Sequence, residues 1–268
     1  MEIARIRKGL RALDIEDSMK IAISQPTYLP WLGYFDLIDQ VDVFVLLDSV
    51  QFEKQSWQQR NRIKTPTGLQ LLTVPVVFRG RLGQRIMEVI IRDPDFPRKH
   101  LRAIELNYRR TLFFDRYFPE LARILEQHPS GGHLADLNLE IIRWVCAALG
   151  IRTTLVRSSE LRQEGRRSEL LVNLCRHLNA NTYVSPPGSA TYLLGDLQLF
   201  TDAGISVEFQ RFEHPPYRQM FRPFIPYASV LDLLFNEGET SSQILRSGHR
   251  PAMMPDELSI NTVSGVGA

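Results

Sequence analysis

The chain predicts an α/β fold: a predominantly parallel sheet with flanking helices and a mixed or helical C-terminal portion. Three observations predict it. Short continuous apolar runs, KIAIS over 20–24 and DVFVLL over 42–47, read as strands buried on both faces, as in parallel sheets. Longer runs with helical periodicity, such as 134–149, stand between runs of this kind. The stretch 20–48 compresses the pattern into strand, proline-rich turn, helix and strand, ending at Asp48. A Rossmann-like sheet of this kind binds its ligand beyond the carboxyl ends of its strands, so the residues after Ser24 and around Asp48 are where function is expected.

The 268 residues, 44% of them hydrophobic, suffice for one large domain or a domain with a subdomain. The expected division is an N-terminal arm over 1–19, an α/β domain over 20–239, and a peripheral or flexible tail over 240–268, where Ser, Gly, Pro and Glu dominate. Thirty-two Lys and Arg against 30 Asp and Glu leave a formal charge of +2, which makes nucleic acid an unlikely partner. Cys146 and Cys175 sit in periodic apolar segments and read as buried reduced thiols. The first twenty residues lack the apolar core of a signal peptide, and no run reaches membrane-spanning length. A soluble cytoplasmic protein is therefore expected. His128 and His133 lack a third ligand at useful spacing, so no intrinsic metal is expected. The residues specify no cofactor.

Strand one is 20–24, and Pro26 holds Gln25 extended. Pro30 stands where a helix can start, and Trp31, Tyr34, Phe35 and Ile38 give it an apolar stripe. Strand two is 42–47. Residues 70–77 form a further strand candidate, at an edge or bulge because of Pro75, and 86–91 return as a strand. Residues 97–127 are helical, 128–133 a turn, and 134–149 a helix that Gly150 ends. Strands follow at 151–156, near 181–185 and over 205–212, separated by helices. A proline-rich aromatic segment from His214 leads into a last apolar helix.

Candidate site residues follow from this layout. Tyr28, Trp31 and Tyr34 form either an aromatic pocket wall beside Gln25 or plain core. Asp48, at a strand end, suits a hydroxyl, an ammonium or a metal, or caps a loop. Trp57, Arg60, Asn61 and Arg62 form a polar, basic segment whose guanidinium forks match carboxylate or phosphate, although the two arginines need not meet the same ligand. Ser185 and Gly188 could present a hydroxyl and backbone donors to an anion. No base stands beside Ser185, so a catalytic serine is unsupported. His214, Tyr217, Gln219 and Arg222 suit a pocket rim.

The segments QPTYLPWLGYFDLI, VFVLLDSVQF and WQQRNRIK together resemble the WbqC-like family, with Gln25, Pro26, Pro30, Trp31, Gly33, Tyr34, Phe35, Arg60, Asn61, Arg62 and Ile63 carrying the likeness. It continues through Asn107-Tyr108, YVSPPG and SVLDLLFN, over roughly 20–237. The resemblance implies a role in surface-polysaccharide or small-molecule biosynthesis, such as acyl or aminoacyl transfer to an amine or amino sugar. On that expectation Gln25 and Asn61 orient polar groups and Asp48 binds an amine or moves a proton. Arg60 and Arg62 hold a small polar or anionic substrate, or an acyl-carrier or nucleotide-linked donor. The rivals are nucleotidyl transfer, which the absence of a histidine pair from the first turn weakens, and a non-catalytic scaffold.

Overall fold

Six strands form the central sheet. Across it they lie in the order β5 (Thr154–Arg157), β2 (Val43–Leu46), β1 (Lys20–Ser24), β6 (Thr182–Ser185), β7 (Ser206–Phe212) and β8 (His249–Met253). All but β8 run parallel to their neighbours; β8 pairs antiparallel with β7. The computed structural model describes residues 18–258, so the expected N-terminal arm lies outside the described residues except for its last two. From β1 the chain adds β2 and then β5 on one side. It then crosses back to place β6 and β7 on the other. Neighbouring connections thus depart in opposite directions between β1 and β6, which opens a crevice at their carboxyl ends.

Both faces of the sheet are covered, which is why its inner strands β1 and β2 are continuously apolar rather than alternating. Ile21, Ile23, Val43, Val45, Tyr183, Val207 and Phe209 pack on one face with α6 (Ser168–His177) and α7 (Ala190–Thr201). Ala22, Phe44, Leu46 and Val184 point to the other, against α1 (Leu32–Asp39), α4 (Leu134–Leu149) and α8 (Val230–Glu237). Gly150 ends α4 in the left-handed region at φ 68°, its N–H returned to the Ala147 and Cys146 carbonyls. Both cysteines are free and buried, as their apolar surroundings predict, and burial pushes each thiol up to about 12.

A small antiparallel pair, β3 (Arg60–Thr65) and β4 (Gly68–Thr73), lies apart from the main sheet. β4 stops two residues before Pro75, short of the expected 70–77. The strand expected over 86–91 is not one. Ile86–Glu88 is a single 3-10 turn, and beyond it only isolated bridges form, Val76 to Ile91 and Ile90 to His133. Ile86, Val89 and Ile91 are fully buried, so the apolar pattern is real. Pro75 has no N–H to continue a ladder there, and its carbonyl accepts only from Arg92. The helical stretch 97–127 divides into α2 (Phe96–Tyr108) and α3 (Phe114–Gln127). Between them Thr111 Oγ1 donates to the Tyr108 carbonyl, and the Phe113 N–H donates to Phe235 rather than back along a helix. From residue 240 the chain forms α9 (Ser241–Ser247) and then β8. β8 occupies a sheet edge, and composition gave no sign of either element.

Candidate functional site

The turn after β1 is held from several sides. The Tyr28 N–H donates to the Trp57 carbonyl at 3.0 Å, and Asn61 Nδ2 donates to the Tyr28 carbonyl at 3.1 Å. Asn138, buried on α4, donates through Nδ2 to the Pro26 and Gln58 carbonyls at 3.1 and 2.8 Å. Gln58 Nε2 in turn donates to Gln25 Oε1 at 2.8 Å, and the Tyr34 hydroxyl to the Gln25 carbonyl at 3.1 Å. Burial raises the Tyr34 phenol well above its ordinary range, so it stays a neutral donor. Gln25-Pro26 and Trp57–Asn61 are thereby locked together across more than thirty residues of chain.

This clamp closes one side of a cavity of about 480 Å³ at the carboxyl ends of β1 and β6. Ser24 and Thr27 border it from the turn; Pro186, Pro187 and Gly188 border it from the loop after β6. Trp31, Gly33, Tyr34 and Leu37 line it from α1, and Gln210 from β7. Trp57, Asn61 and Arg62 form the outer wall, with the Arg62 guanidinium 5.1 Å above the Trp57 ring. Tyr227 stands at the rim, edge-on to Trp31 at 5.3 Å, with its backbone at φ 64° in the left-handed region. Gly33 is required here, because a Cβ at that position would lie 2.2 Å from the Trp31 ring. Among the described residues, Arg62 is the one cation of the wall, no carboxylate lines the cavity, and no carboxylate pairs with Arg62.

Six of the sequence-predicted site residues therefore meet in one cavity: Trp31, Tyr34, Trp57, Asn61, Arg62 and Gly188. The others stand elsewhere. Gln25 adjoins the cavity but its side-chain oxygen is taken by Gln58. Tyr28 is core, its hydroxyl 2.7 Å from His100 Nδ1. Arg60 shares a strand face with Arg62, two residues away, but opens β3 outside the cavity wall. Ser185 is fully buried and its hydroxyl donates to the Pro186 carbonyl. His214 lies behind Trp31, ring parallel to it at 6.3 Å; Nδ1 faces the Pro215 carbonyl, and Nε2 is buried without a partner. Burial lowers its pKa, which favours the neutral ring.

Asp48 is farthest from its expected role. Its carboxylate meets Arg157 Nε at 2.6 Å, the Ser159 N–H and hydroxyl at 3.0 and 2.9 Å, and the Ser158 hydroxyl at 3.1 Å. Both oxygens are engaged, and the group anchors α5 (Ser158–Leu161) to the end of β2. It caps a loop and does not line the cavity.

With the site in view, comparison with known proteins places the chain. The model of the WbqC-like protein family matches residues 25–244. The chain belongs to the WbqC-like family. A relative, the uncharacterized protein Rv1507c of Mycobacterium tuberculosis (strain ATCC 25618 / H37Rv), is 40% identical over 230 residues, covering 85% of this chain and 97% of that protein. No solved structure matches this chain.

Gln210 and Tyr227 are among the wall residues of this WbqC-like chain that sequence reasoning missed. Gln210 falls on the side of β7 opposite Val207 and Phe209, where alternation predicts solvent; α1 covers it, and its Nε2 donates to the Gly33 carbonyl and Asp36 Oδ2 at 2.8 and 2.6 Å. Tyr227 was hidden among the packing aromatics of 214–235. Its sequence signal is only its place in a proline-rich segment, a setting that favours exposed turns.

Proposed function

We propose that this WbqC-like chain is a biosynthetic transferase that passes an acyl or aminoacyl group to an amine or amino sugar. The observation that carries the reading is the cavity between β1 and β6, an aromatic-walled space with one unpaired cation and no carboxylate. Arg62 suits the phosphate or carboxylate of a donor, and its stacking on Trp57 orients the fork. Trp31, Tyr34 and Tyr227 keep water from the reacting carbon, which favours attack by an amine over hydrolysis. A wall without a base suits an activated donor. The amine nitrogen bonds to the acyl carbon, the bond from that carbon to the leaving sulfur or oxygen breaks, and the amine proton ends on the leaving group. Positioning then supplies the rate.

A nucleotide-linked donor has its own support. Taken in chain order, the parallel strands lie third, second, first, fourth, fifth, an order that Rossmann-like sheets also have and whose reversal point accommodates nucleotides there.

The test is to incubate the protein with a metabolite extract, wash it, and identify retained molecules by mass spectrometry, with Arg62→Ala in parallel. The expected result is an anionic acyl donor, carrier- or nucleotide-linked, retained by the native chain and weakened about tenfold or more in the variant. Added amines should then release the acyl group as an amide. Equal retention by both proteins, or a donor that added amines leave untouched, overturns the reading.

A further inference from the structure

A second cavity, of about 440 Å³, shares no wall residue with the first. Arg110 and Leu112 reach it from the connection between α2 and α3, Arg218, Met220 and Arg222 from the proline-rich segment, and Asn236 from the end of α8. Three arginines, Arg110, Arg218 and Arg222, line it. Among the described residues no carboxylate lines the cavity, and Arg110 and Arg222 have no ion-pair partner.

The segment that carries two of these arginines is fixed from within. Gln219 Nε2 donates to Asp232 Oδ2 and the Ile225 carbonyl, and its Oε1 accepts from the Ile225 N–H. The Tyr217 hydroxyl donates to the same Asp232 oxygen at 2.8 Å. The Arg218 backbone N–H is tied to Glu237, and its Nη2 donates to the Asn236 carbonyl at 3.0 Å. Gln219 is anchored inward, while Arg218 and Arg222 are exposed and share the cavity lining with Arg110. Like charges lining one cavity repel one another, a repulsion that Glu237 at the Arg218 N–H offsets only in part, and the arrangement becomes favourable when an anion enters. Guanidinium forks match phosphate oxygens two at a time.

We propose that this cavity is a phosphate-binding site, distinct from the aromatic cavity, that takes a phosphate or diphosphate group, free or borne on a small metabolite. It stands whether or not the transferase reading does.

The experiment is a calorimetric titration of the full chain with inorganic pyrophosphate and, separately, inorganic phosphate, with sodium chloride adjusted to constant ionic strength. Saturable binding of one equivalent is expected. Arg110→Gln/Arg222→Gln should weaken it about tenfold or more, and Arg62→Ala should leave it unchanged. Both arginines are exposed, so the fold should survive; if the double variant does not fold, the two single exchanges serve instead. Binding that never saturates, that survives the arginine exchanges, or that is lost in Arg62→Ala overturns the proposal. Tighter binding of pyrophosphate than of phosphate assigns a diphosphate; equal binding assigns a single phosphate group.

Discussion

Tyr28 and His100, 72 residues apart, show what a single buried contact decides. His100 Nε2 faces the Thr73 carbonyl at 3.2 Å, so it carries the proton, and Nδ1 accepts from the Tyr28 hydroxyl. Burial lowers the His100 pKa to about 4, from the 6.5 of a free histidine. The unfolded chain then takes up the proton first as pH falls. The stabilisation is complete above about pH 6.5 and is lost progressively down to about pH 4, on the order of 3 kcal/mol in all. Urea midpoints measured across that window should fall for the native chain and fall less steeply for His100→Asn; identical slopes would refute the assignment. From sequence, Tyr28 looked like pocket wall because nothing nearby in the chain reveals a histidine acceptor. Asp48 misled for the same reason: its partners Arg157, Ser158 and Ser159 lie more than a hundred residues away. Arg62 was legible because its partner, Trp57, is local.

The turn and α1 form one device. Pro30 precedes the helix, Trp31 is its first flanking residue, and Gly33 leaves the space into which the indole folds back. Gly33→Ala should drive the Trp31 ring out of the cavity wall, because the clash is with a large ring packed against Phe212 and Tyr227. Overpacking of this sort costs about 1–3 kcal/mol. A lower thermal midpoint, together with ligand retention reduced at least as far as in Arg62→Ala, is the expected outcome. Retention unchanged would show that the indole does not form the wall. Elements of this kind were readable where local signals agreed: β1, β2 and α4 emerged from apolar runs and a terminal glycine. The stretch 86–91 was unreadable because burial gives an apolar pattern to any segment lying across a core, whether or not a strand partner is present.

At the scale of the molecule, the last described strand completes the sheet. β8 covers the edge of β7 through pairs such as Phe209 with Met253 and Phe212 with His249, while Leu245 of α9 is buried. Ending the chain at Thr240 uncovers that edge and removes Leu245. The expected result is a loss of about 3 kcal/mol or more in stability, in the range of a deleted core leucine, and concentration-dependent association through the exposed strand. Chemical unfolding and light scattering measure the two; a monomeric chain of native stability would show the segment to be dispensable. The sheet's order, like the cavity it creates, was beyond sequence reading because only the crossing from β5 back to β6 brings Gly188 beside Trp31.

Tyr227 carries one more implication. A bulky residue at φ 64° sits where glycine or asparagine would sit with less strain, at a penalty of about 1 kcal/mol or more. The residue is more than half exposed, and edge-on contacts with the Trp31 and His214 rings, each at 5.3 Å, are what offset that penalty. Under the proposed function, what Tyr227 contributes is realised when the cavity is full, and homologues evolving under heat rather than under demand for turnover are where this side chain should be surrendered first.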